Sequence, residues 1–189
     1  MLTFRQFIIE NYKGEHEAPD KENGAPLHDV TSNGIYPEDY YTHSHYYNAG
    51  ESYDNESHGI IRSKKGRPNN YVTIYRAIPK NSPKGTKINP GDWVTINRKY
   101  AHDHGRFNLG GKGNYRIVSK TNVRANEIYT DGNSIHEWGY HPTPRDVEYD
   151  NARRERWRAE KRDKETAMSP EEKAERDTNR DVSHKRYEN

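Results

Sequence analysis

The segment Tyr71-Val72-Thr73-Ile74-Tyr75-Arg76-Ala77-Ile78-Pro79 constrains this chain more than any other. Val72, Ile74 and Arg76 recur at the period-two spacing of a strand, with Thr73 and Tyr75 on the opposite face. The face with two β-branched aliphatics is the one expected to be buried, so an arginine is aimed where a core side chain belongs. Burying an unpaired guanidinium costs on the order of several kcal/mol, so the fold has to bring it an anion. Two kinds of anion are open: a structural carboxylate, Asp92 or Glu137, or a bound phosphate.

The 189 residues are 29% hydrophobic and 32% charged, too polar a mixture for one compact domain over the whole length. Apolar residues gather between Val30 and Tyr140, which predicts a core domain of roughly 110 residues with polar extensions. The absence of cysteine excludes disulfides, zinc–thiolate sites and thiol nucleophiles. A formal charge of +2 supplies no global field for nucleic acid or membrane, and no apolar run is long enough to span a bilayer. Fifteen tyrosines against three phenylalanines predict a core edged with hydroxyls that need partners, or a site lined with aromatic faces.

Along the chain, Met1 to Glu10 reads as a short amphipathic helix: Thr3 and Gln6 form a capping box and Leu2 can staple onto Phe7. It has no basic start, long apolar run or small-residue cleavage site of a secretory signal. Residues 11–29 lack periodicity and read as a linker. Pro37, with Glu38 and Asp39 behind it, is placed to open a tyrosine-rich helix. His43 and His45 form a His-x-His pair without a third ligand at convincing spacing, so no metal site is expected. Arg62 to Arg67 reads as a short basic, solvated loop, with nucleic acid a weak alternative.

After the Tyr71–Pro79 strand, Pro90-Gly91-Asp92 is a turn and Trp93-Val94-Thr95-Ile96 a short strand. Asn97 can cap a helix from Arg98 to His104 that Gly105 ends. The glycine-rich stretch Phe107–Asn114 misses the P-loop pattern. Strands are expected at Tyr115–Ser119, from Ile128, and at Ile135–Tyr140, with Asp131-Gly132-Asn133 as a hairpin-type turn. Residues 143–189 mix both charge signs and carry one clear helix start, Ser169-Pro170-Glu171-Glu172.

Two resemblances sharpen this outline. The opening Met-x-Thr-Phe-x-Gln-Phe-Ile-x-Glu is similar to the capsid-targeting peptide of internal head proteins of T-even-type phages. That implies docking of residues 1–10 on a phage scaffold, cleavage by the prohead protease after Ile8-Ile9-Glu10, residence in the virion interior and delivery to the host cytoplasm. Further on, Tyr75-Arg76-Ala77, then Trp93-Val94-Thr95-Ile96-Asn97 with Tyr100-Ala101, then Ser134 to Tyr140, follow one another as in the arginine–serine–glutamate class of ADP-ribosyltransferases.

The second resemblance covers about Tyr71 to Tyr140 and implies an α+β catalytic domain over 30–142, with two mainly antiparallel sheets clasping an NAD cleft. It also implies transfer of ADP-ribose from NAD⁺ to a host macromolecule, a protein before a nucleic acid. Arg76 would hold the pyrophosphate, Glu137 would stabilise the positive sugar and hold its 2′-OH, and Thr95 would orient Glu137. The backbone of Ala77 would bind the nicotinamide amide, and Tyr100 and Phe107 would offer stacking faces. His136 and Trp138 are expected to be packing residues on the other face. Ile135 stands where arginine-modifying members carry a second Glu or a Gln, which leaves the acceptor side chain open. An NAD glycohydrolase using the same site and a non-enzymatic packaged DNA- or host-factor-binding protein are the alternative readings.

Overall fold

A computed structural model describes residues 17–169 and residue 172. The expected N-terminal helix, its capping box and the targeting peptide lie outside the described residues. In chain order the elements are β1 (Ala25–Pro26), α1 (Asp54–Lys64), β2 (Tyr71–Pro79), β3 (Trp93–Val94), α2 (Arg98–Asn108), β4 (Tyr115–Arg124), β5 (Ile128–Thr130), β6 (Trp138–Tyr140) and α3 (Pro144–Ala167). Short 3-10 turns at Ser32–Gly34, Glu38–Tyr41 and Ser44–Tyr47 precede α1.

The strands form two antiparallel sheets, one in the order β1-β5-β6-β3 and the other a β2-β4 pair, so the composition is α+β. A single bridge joins them: Tyr75 and Thr95 exchange both backbone hydrogen bonds, at 2.8 and 2.9 Å. The β2–β4 register slips between Val72 and Ile74, where β4 carries one extra residue and Asn122 takes a left-handed φ of 58°. The core draws on both sheets and on α1, with Leu27, Ile61, Ile74, Ile128, Ile135 and Trp138 all essentially inaccessible to solvent.

Several expectations need correction. Residues 25 and 26 lie inside the stretch read as linker, yet they pair with β5, and Leu27 beside them is buried. The backbone of Pro19 packs so closely on Gly139 that a Cβ there would overlap it. Aperiodic sequence therefore closes the edge of the sheet. The tyrosine-rich helix is two 3-10 turns, whose Tyr40 and Tyr47 pack with each other and with the preceding Tyr36, ring centroids 4.8 to 5.4 Å apart. Arg62 to Lys64 belong to the last turn of α1, not to a loop.

Helix α2 runs to Asn108, through Gly105 rather than ending at it. Gly105 is needed for a different reason: the Tyr115 ring lies where its Cβ would be. Ile135 and His136 form a turn, and the strand begins only at Trp138. Asn97 caps α2 as expected, accepting from Lys99 N at 2.9 Å and Tyr100 N at 3.4 Å.

The chain divides at Pro142 into two compact units. In the second, α3 is a long helix without an apolar stripe. Beyond it Ser169 and Glu172 exchange the two bonds of a capping box, at 2.8 and 3.3 Å.

Candidate functional site

The site is assembled where the two sheets meet. Within the larger sheet Trp93 pairs with Gly139 and Val94 with Trp138, so the next step of the register puts Thr95 beside Glu137. On its other side Thr95 bridges Tyr75. Extended by that step, a lateral row on one face runs Tyr75, Thr95, Glu137; Arg76, the next residue of β2, leaves by the opposite face, the one that carries Asp92, and is not brought beside Glu137. Ala77 lies two residues beyond Tyr75, so its N–H and C=O leave β2 on the same edge as those that reach Thr95. The bridging to β3 stops at Tyr75–Thr95 and does not continue to Ala77, so no described strand pairs those two groups on that edge.

Arg76 is not the buried cation expected. Val72, Ile74 and Ile78 on its face are buried, but the Arg76 side chain is 37% exposed and its guanidinium pairs with Asp92. Asp92 is fixed in turn by accepting from Asn89 N at 2.8 Å, in the turn that leads into β3. The anion supplied by the fold is thus a carboxylate at the surface end of the sheet.

Glu137 is half-buried and receives the Tyr100 hydroxyl on Oε1 at 2.5 Å. Thr95 is 3% exposed, and its Oγ1 accepts from Asn97 N at 3.1 Å instead of meeting the carboxylate. Orienting Glu137, assigned to Thr95 from the sequence, falls to Tyr100. The Tyr100 ring stacks on His136 at 4.9 Å with an interplanar angle of 20°, so one of its faces is already covered. Burial, with the Glu137 carboxylate second, pushes the Tyr100 hydroxyl far above its ordinary value and keeps it a donor. Phe107, in the last turn of α2, is 73% exposed with the Arg106 guanidinium over its ring at 4.6 Å.

Behind the row runs a buried polar chain that sequence reading did not find. Asn97 Nδ2 donates to Ser57 Oγ at 3.2 Å, Ser57 Oγ meets His136 Nδ1 at 3.0 Å, and His136 Nε2 meets Asp54 Oδ1 at 2.8 Å. Asp54 accepts, so His136 donates to it from Nε2, and its Nδ1 shares the second hydrogen bond with the Ser57 hydroxyl. Asp54 Oδ2 also accepts from the N–H groups of Gly50 and Glu51, at 2.9 and 3.0 Å. Asp54, Ser57 and His136 are all at most 2% exposed, so this Ser-His-Asp sequence of contacts is structural: no substrate reaches the serine. His136 packs as expected, but through hydrogen bonds. Trp138 is fully buried and donates to Ile135 O at 3.1 Å. The one sequence signal was the spacing Asp54, Ser57, His58, Ile61, a helical stripe made mostly of polar residues.

Comparison with known protein families, curated proteins and solved structures finds no match to this chain. Among the described residues there is no group of three His, Asp or Glu side chains able to hold a metal ion. No described helix is long and apolar enough to cross a membrane.

Proposed function

We propose that this chain transfers ADP-ribose from NAD⁺ to a host macromolecule, with Glu137 as the catalytic carboxylate. What supports the reading is the Tyr75–Thr95 bridge together with the β3–β6 register, which extended by one residue sets Glu137 beside Thr95, while the free edge of Ala77 faces the same side as Thr95. A nicotinamide amide needs one donor and one acceptor side by side, and a strand edge offers that pair. In the reaction the bond from ribose C1′ to nicotinamide breaks, its electrons leave with nicotinamide, and an acceptor nucleophile closes on C1′ and gives up a proton. Glu137 stabilises the positive charge on the sugar during the exchange, and Tyr100 holds the carboxylate in place.

Arg76 leaves β2 by the face opposite Glu137, so to reach the pyrophosphate it releases Asp92 and turns round the exposed end of the sheet, where its planar guanidinium can grip phosphate oxygens bidentately. Delivery follows from the sequence of residues 1–10: packaging in a phage head and entry into the host with the DNA. Incubation with labelled NAD⁺ and host lysate tests the reaction. Label fixed on protein, and lost in Glu137→Gln, is the expected result. Free ADP-ribose alone assigns a glycohydrolase, and no NAD⁺ turnover removes the enzymatic reading.

A further inference from the structure

The overall charge of +2 conceals a strong local imbalance. Residues 77–126 contain ten Lys and Arg and only two acidic residues, Asp92 and Asp103, a net of +8, so the rest of the chain carries −6. Both of those acids are engaged, Asp92 with Arg76 and Asp103 with Arg106. Four of these cations, Lys80, Lys84, Lys87 and Lys112, belong to the two loops at one end of the β2–β4 sheet. There Pro79 pairs with Tyr115, Lys80 N donates to Asn114 O at 2.8 Å, and the Arg116 guanidinium donates to Pro83 O at 2.9 Å. These contacts gather the 80–87 loop and the 109–114 turn into one surface. Lys80, Lys84, Lys87 and Lys112 are exposed on it, with no carboxylate partner among the described residues.

The surface also has an aromatic face. The Tyr115 ring lies against Gly105 and so binds the end of α2 to the same tip, and two residues on, Phe107 is 73% exposed. An exposed ring carrying an arginine, on the same end of the domain as lysines without acidic partners, is the pairing that holds a phosphate backbone with its bases stacked. We propose that this tip, formed by loop 80–87, turn 109–114 and Phe107, docks single-stranded nucleic acid. Phe107 stands seven residues along α2 from Tyr100, about 10 Å of helix rise, so a docked strand runs close to Glu137.

The test uses the full chain without NAD⁺, so its outcome is independent of ADP-ribosyl transfer. Fluorescence anisotropy follows a labelled, mixed-sequence single strand of about 12 nucleotides. Four lysines predict a log–log dependence of affinity on salt with a slope of about −3. Replacing Lys80, Lys84, Lys87 and Lys112 together by Gln flattens that slope and weakens binding at least about tenfold at low salt. Phe107→Ala weakens binding at least about fivefold with the slope unchanged. Melting curves of both variants match the parent, since all five side chains are exposed. The proposal is overturned by no binding at about 50 mM salt, by a quadruple variant that binds like the parent, or by poly-glutamate competing as well as the strand. Equal affinity for a duplex, or a Phe107→Ala variant that binds normally, overturns the single-strand assignment.

Discussion

Tyr100 and Glu137, 37 residues apart in sequence, meet through a 2.5 Å hydrogen bond from the phenol to the carboxylate. The bond crosses from the first turns of α2 to the residue just before β6, and the Tyr100 ring is braced from behind by His136. A hydrogen bond to a charged group is worth about 1.5–3 kcal/mol. Tyr100→Phe keeps the ring and its stacking while freeing the carboxylate. On the proposed reaction it should therefore lower kcat for NAD⁺ cleavage by roughly tenfold to a hundredfold and leave KM nearly unchanged. Equal kcat in the two proteins would remove Tyr100 from the site.

Arg76 and Asp92 set up a competition. A half-exposed pair contributes up to about 1 kcal/mol, so releasing Arg76 by Asp92→Asn should lower KM for NAD⁺ by at most about fivefold. Arg76→Ala should raise KM by about tenfold or more, because a charge-assisted phosphate contact is lost. Steady-state kinetics on the two variants decides the matter. A KM untouched by Arg76→Ala means the guanidinium serves only to hold the β3 turn.

Stability should fall with pH in two separate windows. His58 is buried, with Tyr40 OH at 2.8 Å from Nδ1 and Asn48 Oδ1 at 2.9 Å from Nε2. Burial first, and the Arg62 charge second, hold it below its ordinary 6.5. The unfolded chain therefore takes up a proton that the folded one refuses, and stability drops as pH falls below 6.5. Asp54 acts lower down. Burial alone would raise it, but hydrogen bonds from His136, Glu51 N and Gly50 N outweigh burial and hold it below 3.8. Its contribution is complete above 3.8 and is lost as pH falls through the lower folded value. Melting temperatures measured from about pH 8 down to about pH 3 should show both declines, and His58→Gln should reduce the upper one. A flat profile between about pH 7 and pH 5 contradicts the assignment of His58.

Gly139→Ala tests how tightly the segment before β1 is seated. The added methyl meets the backbone of Pro19, which cannot rotate away as a side chain would. Overpacking of this kind costs about 1–3 kcal/mol, visible as a drop in melting temperature. A neutral substitution would mean that residues 17–24 move aside without cost.

What could be read from the chain was whatever depends on neighbours in sequence. The β2 strand, the Asn97 cap, the Pro90–Asp92 turn and the Ser169–Glu172 box are all decided within a few residues. Helix α1 was illegible because its inward stripe is Asp54, Ser57, His58 and Ile61, and hydropathy registers three of those four as surface. Gly105 looked like a helix end because its true role depends on Tyr115, which reaches it from the next strand. Glu137 stands out only by the resemblance of the Ser134–Tyr140 segment, and nothing in the sequence points to its hydrogen-bond partner. Thr95 stands beside it in register, yet the phenol that binds it comes from a different element.

The buried chain behind the site gives the most demanding prediction. Asp54 is its hub, because its two oxygens take the His136 Nε2–H and the backbone N–H groups of Gly50 and Glu51. Asp54→Ala strands a fully buried imidazole N–H and opens the loop that leads into α1, a loss of about 3 kcal/mol or more. Ser57→Ala leaves Asn97 Nδ2 and His136 Nδ1 without their partner but spares the cap on α2, since Asn97 Oδ1 still accepts from Lys99 N. That variant should lose about 1–3 kcal/mol. Because His136 precedes Glu137 and supports the Tyr100 ring, Ser57→Ala should also lower kcat while the protein remains folded well below its melting temperature. A Ser57→Ala protein that melts early but turns over NAD⁺ at the parent rate would separate the buried chain from the site and leave it a purely structural brace.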